Sequence, residues 1–127
     1  MGKFESAEEY YKKSDGLRLG RYNPMTRSNY PKLREILDKR GIPLICVQYP
    51  IRSIEPLKQI FAGQEGTVIF VDNERIFKDA LRQDGYREYF EDMFAGDFGH
   101  CTARGNRLLA ENIANVILKE VKNKLSK

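Results

Sequence analysis

Two short, continuously apolar runs, Ile42-Pro43-Leu44-Ile45-Cys46-Val47 and Thr67-Val68-Ile69-Phe70-Val71, constrain the fold of this 127-residue chain more than any other feature. Each is too short for a surface helix and lacks period-two alternation, so each reads as a strand buried on both faces. Between them Ser53 caps a helix that runs through Phe61, with Pro56 in its first turn and Gly63 and Gly66 bracketing the following loop. Before them a helix of about three turns starts at Ser28 or Asn29, carries Pro31 early, presents Leu33, Ile36 and Leu37, and stops at Gly41. After them the spacing of Ile76, Phe77 and Ala80 makes Asn73 to Leu81 helical, and Tyr86 to Phe94 adds a turn or two. Helix, strand, helix, strand, helix predicts parallel strands near 42–48 and 67–72, joined by crossovers in a layered α/β fold.

Length and charge narrow the class. A chain this long forms one domain, and its character changes near residue 28: residues 1–28 are polar and turn-rich, residues 29–127 regular. The early segment holds a short helical stretch, Glu5 to Lys13, a Ser14-Asp15-Gly16 turn and Arg21-Tyr22-Asn23-Pro24. With 41% hydrophobic and 31% charged residues the balance is that of a soluble globular protein, with no apolar run near the roughly 20 residues of a membrane helix. The charged start, Lys3-Phe4-Glu5, does not fit a signal peptide, which leaves a cytoplasmic product, or a fragment cut from something longer, as the expectation. Two cysteines, Cys46 and Cys101, make no disulfide framework and read as free thiols. The net charge of +4 owes part of its excess to Lys119, Lys122, Lys124 and Lys127, the usual end of a solvated C-terminal helix. No basic stripe with interleaved aromatics argues for nucleic acid.

In such sheets chemistry collects beyond the carboxyl ends of the strands. Those ends read Gln48-Tyr49-Pro50 and Asp72-Asn73-Glu74, so Gln48, Asp72 and Asn73 are candidate substrate-binding residues, although Asp72 or Asn73 equally suits a cap on the next helix. The last third is richer. Leu109, Ile113, Val116 or Ile117, and Val121 set a long amphipathic helix that starts after Thr102, its cap. The Gly-rich loop before it, Gly96-Asp97-Phe98-Gly99-His100-Cys101, holds the chain's single histidine three residues after a carboxylate. That spacing suits a general base whose ring is oriented by an acid, and equally a loop histidine that is merely hydrogen-bonded. A metal site from Asp92, Asp97, His100 and Cys101 is the weakest reading, because no recognised ligand spacing is present.

Asp97-Phe98-Gly99-His100, followed by Thr102, Gly105, Leu109 and Ala110, resembles the last conserved block of the SGNH hydrolases, also called GDSL-type lipases or esterases. Upstream, "RGIPLICVQYP" and "TVIFVDNERIF" resemble that family's fourth and fifth strands with their loops, so the resemblance runs from about Asn29 to the C-terminus. It implies part of a doubly wound, flavodoxin-like three-layer fold, a Ser-His-Asp triad with His100 as general base and Asp97 as its orienting partner, a small acyl or acetyl ester as substrate, and no cofactor. Asp97 would then lie within about 3.5 Å of the ring nitrogen nearer the backbone.

The family's earlier blocks are missing: no Gly-Asp-Ser follows an apolar strand, and no Gly-x-Asn-Asp occurs. Ser6, Ser14, Ser28, Ser53 and Ser126 all lack that context. The chain thus resembles the C-terminal portion of such a hydrolase, supplying acid and base without nucleophile or oxyanion donors. A non-catalytic binding or assembly module with the same half-fold is the alternative. In either case the 42–47 strand has lost a neighbour. A homodimer, an exchanged or upstream segment, or the residues near Leu17 and Leu19 would be expected to cover its edge.

Overall fold

A computed structural model describes residues 23–63, 68–94 and 98–125 of the chain. The helix expected at 5–13, the 14–16 turn, Leu17, Leu19, Thr67 and Asp97 lie outside the described residues. The elements are α1 (Pro24–Asp38), β1 (Leu44–Val47), α2 (Glu55–Ile60), β2 (Val68–Val71), α3 (Glu74–Asp84), a single 3₁₀ turn (Tyr86–Glu88) and α4 (Ala103–Leu125). The chain is mixed α/β. β1 and β2 form a two-stranded parallel sheet, and the Gln48 N–H donates to the Val71 carbonyl at 3.3 Å to carry the pairing past β1.

α1 begins earlier than the expected cap at Ser28 or Asn29. Asn23 accepts from the Met25 N–H at 2.9 Å and Pro24 fills the first helical position, where its missing N–H costs nothing. Pro31 therefore sits inside the helix, not in its first turn. Gly41 adopts φ +67°, a conformation in which only glycine is unstrained, and this lets the Ile42 N–H reach back to the Leu37 carbonyl.

The expectation that both strands are buried on both faces is corrected for β1. Only Cys46 is buried, while Val47 is 42% exposed. Among the described residues β1 pairs only with β2, and α1 contributes no buried residue. β2 is better shielded, with Val68 and Val71 buried. The helical turn or two expected over 86–94 shortens to one 3₁₀ turn at Tyr86 to Glu88, followed by an isolated bridge at Phe90 and bends.

Two compact units divide the chain, cutting both strands near their middles. In the first, which holds α1 and α2, Leu57 and Phe61 are buried and the Tyr30 ring meets Phe61 edge-on at 5.8 Å. The second comprises Cys46–Ile54 and Phe70–Lys127. Its core is Phe77, Tyr89 and Phe90, with Ile76, Ala80, Leu108 and Leu109 packed against them. Burying each phenylalanine contributes about 1.5–3 kcal/mol. Thr102 caps α4 as expected: its hydroxyl accepts from the Gly105 N–H at 3.1 Å. Gly105 is buried against Tyr89, and any Cβ there would run into the Tyr89 carbonyl. The apolar stripe of α4 is used unevenly, for Leu118 and Val121 stay about half exposed.

One polar residue is sealed inside the second unit. Asn73 has no exposed surface; its Nδ2 donates to the Gln48 carbonyl at 2.9 Å and its Oδ1 accepts from Asn112 Nδ2 at 2.8 Å. Asn112 also donates to the Asp72 carbonyl at 2.9 Å, so one amide pair ties the ends of β1 and β2 to the middle of α4. Asn73→Ala removes a buried amide from two partners and is expected to cost about 1–3 kcal/mol in urea unfolding. Exposed-side substitutions such as Arg75→Ala should stay within about 0.5 kcal/mol. Equal effects would mean that the amide is not a structural tie.

Candidate active site

His100 lies on the returning arm of a hairpin-like segment. Phe90 and Cys101 form an antiparallel bridge, the Thr102 N–H donates to the Tyr89 carbonyl at 3.0 Å, the Glu91 N–H to the His100 carbonyl at 2.9 Å, and the Phe94 N–H to the Phe98 carbonyl at 2.7 Å. These bonds set 89–94 alongside 98–102. Gly99 is required where the arms cross, because a Cβ there would overlap the Asp92 carbonyl group. Tyr86 steadies the outgoing arm by donating from its hydroxyl to the Asp92 carbonyl at 2.9 Å. The Tyr49 ring, just past β1, stacks on Phe98 at 4.4 Å and 22°, which seats the hairpin at the carboxyl end of that strand.

Within the hairpin Asp92 grips His100 twice. Its Oδ1 accepts the His100 backbone N–H at 2.7 Å, and its Oδ2 meets ring Nδ1 at 2.6 Å. A carboxylate can only accept, so Nδ1 carries a proton, and in the neutral ring Nε2 then presents its lone pair. The imidazole is 70% exposed, and among the described residues no hydroxyl or thiol is hydrogen-bonded to Nε2. The ring hydrogen bond, followed by the backbone N–H of His100, holds the Asp92 carboxyl below the usual carboxylate range. A fixed tautomer with an open second nitrogen is what a general base requires.

The remaining expected residues fall differently. Asp97, the expected partner of His100, lies outside the described residues; the acid found on Nδ1 is Asp92. Sequence spacing could have suggested Asp92, since it and His100 stand four residues on either side of Gly96, flanked by Phe94 and Phe98. Gln48 turns inward on its own loop: Nε2 donates to the Ser53 carbonyl at 3.1 Å, and Oε1 accepts the Tyr49 N–H at 2.9 Å. Asn73 is the buried tie, while Asp72 takes the capping role by accepting from the Glu74 N–H at 2.9 Å. Both cysteines are free, with burial pushing each thiol up. Among the described residues, no three His, Cys, Asp or Glu side chains gather as metal ligands, and no helix is long and apolar enough to cross a membrane.

No family model, curated protein or solved structure matches this chain.

The dyad has a spectroscopic signature. In ¹⁵N-detected imidazole spectra His100 is expected as the Nδ1–H tautomer with a downfield ring proton. Asp92→Asn should abolish that pattern and Asp97→Asn should leave it; the reverse result would return the orienting role to Asp97. The pH dependence follows from the depressed Asp92 pKa. A folded-state value below the unfolded one contributes stability that is present above the ordinary carboxylate range and lost as pH falls through the folded value. The downfield proton should therefore survive through about pH 4 and disappear only below it, and loss well above pH 4 would contradict the clamp.

Proposed function

We propose that this chain supplies the acid–base half of an SGNH-type ester hydrolase acting on small acyl esters. The observation that supports this is the exposed His100 ring, held in one tautomer by Asp92 beside the carboxyl end of β1. The Asp-x-x-His block and the helix that follows it resemble that family in sequence, and the layered α/β elements are compatible with part of its doubly wound fold.

In this reading His100 Nε2 takes the proton from a serine hydroxyl as it attacks the ester carbonyl, then returns the proton to the departing alkoxide. Asp92 stabilises the imidazolium that forms between the two transfers. The serine and the oxyanion donors come from an upstream segment carrying a Gly-Asp-Ser strand, which would pair along the edge of β1 that no described strand occupies. The second reading, a non-catalytic assembly module or homo-oligomer, draws support from the exposed Met25, Leu33 and Ile36 of α1.

Kinetics separates the two. Alone, the 127-residue chain should hydrolyse an activated acetyl ester barely above background, because general base catalysis contributes only about 10²- to 10⁴-fold. Supplying an upstream Gly-Asp-Ser segment, in cis or as a second polypeptide, should raise the rate by several orders of magnitude. His100→Ala should abolish the gain, and Asp92→Asn should remove about 10²- to 10⁴-fold of it. An inert mixture, or turnover by the chain alone that survives His100→Ala, overturns the hydrolase reading.

A further inference from the structure

The Asp92–His100 clamp stands in water. The imidazole is 70% exposed and the Asp92 carboxylate 47%. A polar pair so exposed contributes little by itself, because water competes for both partners and ordering two side chains costs entropy. The clamp therefore persists only as far as the two backbones are held in place for it.

On the returning arm the His100 carbonyl is anchored by the backbone, where the Glu91 N–H donates at 2.9 Å. At Asp92 the anchor is a side chain. The Tyr86 hydroxyl donates to the Asp92 carbonyl at 2.9 Å in a part-buried bond, and the Tyr86 ring lies 4.9 Å from that of Phe90, a residue with no exposed surface. The bond thus runs from the aromatic core of this unit to the peptide that carries the acid. Arg87 grips the preceding carbonyl, that of Glu91, but both residues are exposed, so water replaces that contact readily and it restrains less.

We infer that Tyr86 is a positioning residue for His100: by holding the Asp92 carbonyl it keeps the carboxylate in the pose that fixes the imidazole as Nδ1–H and leaves Nε2 open. It transfers no proton and acts through Asp92. Its place in catalysis rests on the hydrolase reading; its hold on the ring does not, and the test of that hold needs no turnover.

Tyr86→Phe removes the hydroxyl and keeps the ring against Phe90, so the fold should survive. In ¹⁵N-detected imidazole spectra of the full chain, the clamped state of His100 is expected to lose about two- to tenfold against the open one, the factor that one hydrogen bond contributes. The loss is read as faster exchange of the Nδ1 proton with water and a tautomer ratio moved towards Nε2–H. Two controls separate positioning from general stability. Tyr89→Phe removes a hydroxyl bond to Asp84 at 2.6 Å from a more deeply buried ring of the same unit, and Arg87→Met removes the grip on Glu91. Each, checked for folding by urea unfolding, should leave exchange and tautomer as in the wild type. The inference is overturned if Tyr86→Phe leaves both readouts unchanged, if either control moves them equally, or if the wild-type ring shows no Nδ1–H state. Should an upstream Gly-Asp-Ser segment give no turnover while Tyr86→Phe still loosens the ring, the hydrolase reading falls and the positioning stands.

Discussion

Asn73 carries a primary amide at zero exposure, where an unsatisfied polar group would cost about 1–3 kcal/mol. Its donor meets the backbone carbonyl of Gln48, and its acceptor meets Asn112. Those partners stand past the end of β1 and in the middle of α4, while Asn73 itself follows β2, so three segments far apart in sequence meet at one amide. A hydrophobic residue would fill the same volume, but would tolerate sliding of the helix by a residue or more. The amide accepts one register, because only there are its polar groups satisfied. Once α4 is pinned, its first turn is placed too, and with it Thr102, Cys101 and the arm that carries His100.

Two glycines extend the same constraint to the site. Gly105 lets the start of α4 lie against the Tyr89 carbonyl, and Gly99 lets the returning arm lie against Asp92. With both contacts closed, the Asp92 carboxylate faces the backbone and the ring of His100 together. The grip on the backbone N–H matters as much as the grip on the ring, because it removes the freedom of the loop that would otherwise let the imidazole swing. Arg104 adds a second brace at the helix start, bonding Asp84 and Glu88 while lying 5.0 Å over the Tyr89 ring.

Local signals were legible in the sequence; depth and pairing were not. The two strands, the helix between them and the Thr102 cap could be read from apolar runs and cap residues, since those features act over a few neighbours. The start of α1 was misplaced because Asn23-Pro24 reads as a turn as readily as a cap with a first-position proline. Burial of β1 was overestimated because an apolar run records what a strand could bury, not how many layers surround it. At the site, Gln48 and Asn73 were placed at the strand ends, but polarity alone does not distinguish a residue that binds substrate from one that satisfies a buried carbonyl. Asp92 reads from sequence only as a weak metal ligand, because its tie to His100 spans eight residues and depends on a chain reversal about Gly96 that the symmetric spacing hints at but does not by itself encode.

That dependence also bears on how an oriented histidine can be held in a chain whose described residues form a two-stranded sheet. A nucleophile elbow and its oxyanion donors need a strand rigidly flanked on both sides, since sub-ångström placement of attacking and stabilising groups sets the rate. An oriented base needs less. The Asp92–His100 clamp is closed by contacts among residues 86–102, chiefly backbone hydrogen bonds, one tyrosine hydroxyl and a glycine crossing, and it calls on no third strand. What the described residues determine locally is thus the orientation of one imidazole. In the proposed reading a nucleophile and its oxyanion donors would be held by one further strand beside β1, so that strand and that nucleophile are one structural requirement.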